Sequence, residues 1–135
     1  MGTPIQKIEG IAEVYAQKLA EVGITTVEGL LEKGATRQGR RELAQRTGIS
    51  EKLILEWVNR ADLFRIKGIG EEYSDLLEAA GVDTVVELAQ RNPDNLYETL
   101  VAVNEEKKLV RRLPSLEQVR DWVEQAKQLP RVIEY

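Results

Sequence analysis

Residues 63–88 read LFRIKGIGEEYSDLLEAAGVDTVVEL, and residues 5–30 read IQKIEGIAEVYAQKLAEVGITTVEGL. The second stretch stands 58 positions before the first, with no gap. Ten pairs are identical: Ile8/Ile66, Gly10/Gly68, Ile11/Ile69, Glu13/Glu71, Tyr15/Tyr73, Leu19/Leu77, Gly23/Gly81, Thr26/Thr84, Val27/Val85 and Leu30/Leu88. A chain that repeats itself is built from one supersecondary unit used twice, so this comparison governs the fold. A further similarity closes each unit. WVNRADL at 57–63 resembles WVEQAKQL at 122–129, at an offset of 65. The second copy therefore carries seven more residues, placed near 105–114. Two units follow, 1–62 and 63–135.

Working outward from the repeat, the apolar spacing is helical. Ile11, Tyr15, Leu19 and Val22 share one face, as do Ile69, Tyr73, Leu77 and Ala80. Leu53, Ile54, Trp57, Val58, Ala61 and Phe64 form a broader stripe, matched by Leu116, Val119, Trp122, Val123, Ala126 and Leu129. Gly23 and Gly81 stand where a left-handed helix end is needed, a conformation that only glycine adopts without a Cβ penalty. Thr25 with Glu28, and Ser115 with Gln118, fit capping boxes. Asn92-Pro93 reads as an N-cap followed by proline in the first turn, and Ser50 as the cap of the helix carrying Trp57. No stretch alternates as a strand does. The expectation is an all-α fold of roughly eight helices, its two tandem units packed as one compact body, since either unit alone is small for burying a core.

Composition narrows the chemistry. There is no Cys and no His in 135 residues. That excludes thiolate zinc sites, Cys nucleophiles, disulfides and a Ser-His-Asp triad, and it removes the commonest general base and metal ligand. The carboxylates are scattered, with no metal-ligand spacing, so neither a cofactor nor an enzyme is expected. The N-terminus lacks the features of a signal peptide, and no apolar run approaches a membrane span. A cytoplasmic protein without membrane contact is the expectation. The net charge of −4 is not that of a protein that coats nucleic acid.

The repeated segments resemble helix-hairpin-helix motifs, in which a Gly-hydrophobic-Gly turn joins two short helices. The second copy supplies Gly68-Ile69-Gly70, the small Ser74, Leu77 and Gly81; the first supplies Gly10-Ile11-Ala12, Ala16, Leu19 and Gly23. Ile8 and Ile66 enter each hairpin. The whole chain resembles the bacterial domain-of-unknown-function family DUF4332, built from such motifs in tandem. In nucleic-acid-binding members of the motif class the turn grips the sugar-phosphate backbone, at times with a monovalent cation. The resemblance then implies contact with DNA or RNA backbone through Lys67, Gly68, Ile69 and Gly70. Lys7, Gly10, Ile11 and Ala12 rank lower, because the Ala12 Cβ is expected to obstruct the turn or crowd a phosphate.

The charges complicate that implication. Glu13 follows one turn and Glu71-Glu72 the other, where carboxylates suit the helix dipole but repel a phosphate. Residues 1–62 are charge-neutral, and residues 63–135 carry the whole deficit. The neutral half holds Arg37, Arg40 and Arg41, spaced to share one helix face that could track phosphates. Trp57 and Trp122 recur on apolar faces as core anchors. Two functions follow as expectations: a non-enzymatic module on nucleic-acid backbone without sequence specificity, or a module that binds a protein partner.

Overall fold

The computed structural model describes residues 2–135. Eight α-helices and one short 3-10 turn make up the regular structure of those residues. They are the 3-10 turn Ile5–Lys7, α1 (Glu13–Ala20), α2 (Val27–Gly34), α3 (Arg37–Thr47), α4 (Glu51–Leu63), α5 (Glu71–Ala79), α6 (Val85–Gln90), α7 (Pro93–Lys107) and α8 (Leu116–Gln128). No strand occurs among the described residues; Pro4 and Thr26 form an isolated antiparallel bridge.

The chain divides into two compact units, Met1–Asp62 with Val132–Tyr135, and Leu63–Arg131. The four C-terminal residues thus belong with the first unit, although sequence order places them in the second. Ile133 is buried there, and the Glu134 amide donates to the Ala35 carbonyl at 2.7 Å.

Helix starts follow local side-chain chemistry. Thr36, Thr84, Asn92 and Ser115 accept from the amide three residues on, at about 3 Å in each case. Ser50 does the same for α4 through the Leu53 amide. Ser115 and Gln118 complete a reciprocal capping box. The cap of α2 is Thr26, not Thr25, with the Gly29 amide 3.0 Å from its hydroxyl. Glu28 is consequently free to turn outward, and its carboxylate accepts from the Thr3 amide at 2.9 Å and the Thr3 hydroxyl at 3.1 Å. Thr26 and Thr84 are one of the ten repeated pairs, so the two units share this cap as well as their glycine turns. Gly23 and Gly81 adopt φ of 85° and 92° and close the helices before them.

Each unit buries its own core. In the second, Leu63, Ile66, Ile69, Leu76, Leu77, Val85 and Leu88 pack with Leu96, Leu100, Val119, Trp122 and Val123. In the first, Ile8, Leu19, Ile24, Leu30 and Ile54 are the large side chains removed from solvent. Trp57 and Trp122 are buried as expected and do not face solvent for stacking on bases. Each pairs with the tyrosine of the repeated segment in its own unit: Tyr15–Trp57 at 5.1 Å and Tyr73–Trp122 at 5.2 Å between ring centroids. The closing helix of each unit thereby seats its tryptophan under its own glycine turn.

Candidate functional site

Both glycine turns have the same construction. The Ile11 amide donates to the Ile8 carbonyl, and the Ile69 amide to the Ile66 carbonyl, each at 3.1 Å. The third residue of each four-residue turn is the glycine with positive φ, 94° at Gly10 and 101° at Gly68. The isoleucines on either side are buried, so the turn is held by the core below it while Gly10 and Gly68 remain exposed. A side chain at either glycine would also press on the indole nitrogen beneath it. A Cβ at Gly10 would lie 3.3 Å from Trp57 Nε1, and one at Gly68 3.0 Å from Trp122 Nε1.

The second motif position behaves differently. Gly70 has φ −118° and ψ −155°, and Ala12 has φ −94° and ψ −166°. Both are ordinary extended backbone at a helix N-cap. A Cβ at Gly70 meets no atom within 4 Å. Ala12 therefore leaves the turn undistorted, and it is itself exposed. Ranking the first turn lower on account of Ala12 has no basis in the backbone.

What Ala12 and Gly70 share is the lack of a side-chain acceptor. Their carbonyls start α1 and α5 by accepting from Ala16 and Ser74, each at 2.9 Å. Neither helix has a side-chain cap. The other six α-helices are all capped by Thr, Ser or Asn. The amides of Gly68 and Gly70, like those of Gly10 and Ala12, have no acceptor among the described residues. These amides and those of the first helical turn, which lack intrahelical partners, have the helix dipole behind them and suit an anion.

The flanking charges differ between the copies. Glu71 and Glu72 are exposed at the start of α5; at the start of α1, Glu13 is followed by Val14, which is 66% exposed. Lys7 and Lys67 are both exposed. The Lys67 main chain is fixed from an unexpected direction. Its amide donates to Gln125 Oε1 at 2.8 Å, and its carbonyl accepts from Gln125 Nε2 at 3.0 Å. Asp121 orients the same amide group, accepting from Nε2 at 2.8 Å. Gln125 lies three residues beyond Trp122, and nothing in the local sequence marks it as a clamp on a turn 58 residues away.

The arginine face does not survive as a continuous track. Arg40 is 5% exposed, against the expectation of an open stripe. Its guanidinium donates to the carbonyls of Gly34 at 2.8 Å and Ala35 at 3.1 Å, and to that of Glu134. Burial pushes its pKa down from the ordinary arginine value, with Glu134 and Tyr135 opposing that shift. Arg37 is exposed but engaged: its amide donates to Glu134 Oε1 at 3.2 Å and its Nε to the Tyr135 carbonyl. Arg41 alone of the three is exposed with no partner among the described residues. Among the described residues, no group of His, Cys, Asp or Glu could hold a metal ion, and no helix is long and apolar enough to cross a membrane.

Comparison with known families bears on this arrangement directly. The model of the family described as "Domain of unknown function (DUF4332)" matches residues 9–129, which takes in both turns and both tryptophan helices. The chain belongs to the DUF4332 family. No solved structure matches it.

Proposed function

We propose that this DUF4332 chain is a non-enzymatic module whose two turns act as helix-hairpin-helix motifs and contact nucleic-acid backbone without reading sequence. One observation supports it above the rest. Helix caps are placed on six helices and missing from the two that follow the exposed glycine turns. A phosphate oxygen is the external acceptor that such amides accommodate, and contacts of this kind position a protein without specifying bases. Both turns take part, since Ala12 and Gly70 present the same backbone.

The test is to supply the missing cap. Ala12→Asp and Gly70→Asp place a carboxylate on the amides that a phosphate would use. An Asp cap in place of Ala typically adds about 1 kcal/mol of stability, and in place of Gly only a few tenths. The pair of substitutions should therefore hold or raise stability while abolishing binding. Fluorescence anisotropy with duplex and single-stranded oligonucleotides, at low and moderate salt, reads the binding. Affinity must fall as salt rises. No binding at low salt, or undiminished binding by the double variant, would end this reading.

A protein partner is the second reading, favoured by the exposed Glu71-Glu72 pair and by Val14 standing out on α1. A defined partner that co-purifies after nuclease treatment and is lost on Val14→Asp would support it.

A further inference from the structure

A second feature of the first unit is independent of the glycine turns. An open cleft of about 360 Å³ lies against the first turns of α3 and α4, lined by the three arginines of α3 together with Glu51, Lys52, Leu55 and Tyr135. The buried Arg40 guanidinium donates to main-chain oxygens, and Glu134, Tyr135 and Glu51 lie near enough to favour its charge. The cations of the cleft that lack such an answer are the exposed ones. Arg41 and Lys52 reach the same space from two different helices, both exposed and both without a partner among the described residues. Glu51 is the only acidic side chain in the lining.

The shape adds a second requirement. A cleft of this volume is larger than a bare ion needs and falls in the range of small-molecule sites. Leu55 supplies an apolar wall. Tyr135 supplies a ring whose position is fixed by its hydroxyl, which donates to Asn59 Oδ1 at 2.7 Å.

We propose that this cleft binds a phosphate monoester, with the dianion held between Arg41 and Lys52 beside Arg40, and its organic part against Leu55 and Tyr135. A carboxylate would answer one of the two unpaired cations. A phosphate monoester presents two charges and three oxygens, which an arginine fork and a lysine point charge complement together. The group can be carried by a free mononucleotide or by the 5′ end of a nucleic-acid strand.

Isothermal titration of the full chain with adenosine 5′-monophosphate, adenosine and inorganic phosphate tests it. The monophosphate should bind at least about tenfold tighter than adenosine, and also tighter than inorganic phosphate, which lacks the organic part. Arg41→Ala and Lys52→Ala remove exposed groups and leave the core untouched. Each should weaken the monophosphate by about tenfold with an unchanged circular dichroism spectrum. Equal affinity for adenosine and its monophosphate, or full monophosphate affinity in the Arg41→Ala/Lys52→Ala double variant, overturns the proposal. Oligonucleotides with 5′-phosphate and 5′-hydroxyl ends separate the two sources. A preference for the phosphorylated end that the double variant loses identifies a strand end, and monophosphate binding without that preference identifies a free small molecule. Ala12→Asp and Gly70→Asp leave this cleft intact. Monophosphate binding without oligonucleotide binding therefore sinks the turn reading alone, and the reverse result sinks the cleft alone.

Discussion

Gly68 and Gly70 sit two residues apart in one motif, yet substitution by alanine should affect them very differently. At Gly68, φ is +101°, outside the conformations open to a residue with a Cβ, and strain of that kind costs about 1–3 kcal/mol. The new methyl group would also stand 3.0 Å from Trp122 Nε1, and Trp122 is itself 1% exposed and packed on Tyr73. Overpacking against a side chain with so little room to retreat adds about 1 kcal/mol or more. Gly68→Ala is therefore expected to lose about 2–4 kcal/mol, a large share of the roughly 5–15 kcal/mol typical of a folded domain. At Gly70 the backbone is already one that alanine adopts, and Ala12 occupies the equivalent place in the first unit. Reduced freedom of the unfolded chain favours alanine by about 0.4–1 kcal/mol, and the poorer capping of alanine relative to glycine opposes it by a comparable amount, so the change should stay within about 0.5 kcal/mol of zero. Urea unfolding followed by tryptophan fluorescence measures both variants, and the denaturant slope should be unchanged. Equal destabilisation by the two substitutions would refute the reasoning, as would a neutral Gly68→Ala. The asymmetry also decides which residue is useful for binding studies. A variant of Gly68 confounds binding with folding, whereas Gly70 and Ala12 can be altered cleanly.

Three further outcomes follow from the packing. Arg40→Ala should cost about 2–3 kcal/mol, because three main-chain carbonyls lose a charged donor, while Arg41→Ala on the same helix should be neutral in the same unfolding assay. Gly39→Ala should destabilise the first unit by at least about 1–3 kcal/mol, since its Cβ would overlap the Lys33 carbonyl oxygen, and the loss of helical ellipticity on heating reads it. Burial pushes the Glu28 carboxyl up, but hydrogen bonds from its own amide, the Thr3 amide and the Thr3 hydroxyl outweigh burial and hold it below its ordinary value of 4.5. A depressed carboxylate stabilises the fold above that ordinary value and loses its contribution as pH falls through the folded one. The stability difference between the natural chain and Glu28→Gln should therefore be present near neutrality and shrink progressively as pH falls below 4.5.

Much of this protein could be read directly from its residues, because the features concerned are local. A helix start is a side chain and an amide three residues apart, and a positive φ is a property of one glycine and its neighbours. Hence Ser50, Asn92 and Ser115, the ends at Gly23 and Gly81, and the repetition of the glycine turn were all legible in the sequence. Even the one misplaced helix cap, Thr25 for Thr26, is a slip of one residue between adjacent threonines, and the repeated pair Thr26/Thr84 marked the correct one. The repeat also carried the placement of Trp57 and Trp122, since an aromatic residue recurring on an apolar stripe is explained by a core that recurs with it.

Tertiary structure decided whatever depends on partners distant in sequence. Arg37, Arg40 and Arg41 look equivalent on a helical wheel. They separate only because Val132–Tyr135 returns to the first unit, where it engages Arg37, helps to cover Arg40 and leaves Arg41 open. Periodicity along one helix contains no term for a segment more than ninety residues away. The same is true of Gln125 on the Lys67 main chain, and of the open space around Gly70 that makes Ala12 harmless. The sequence alone determined which residues turn, cap and repeat, through interactions a few residues long. Which cations remain free to meet an anion was settled by burial, and burial exists only once the chain has folded back on itself.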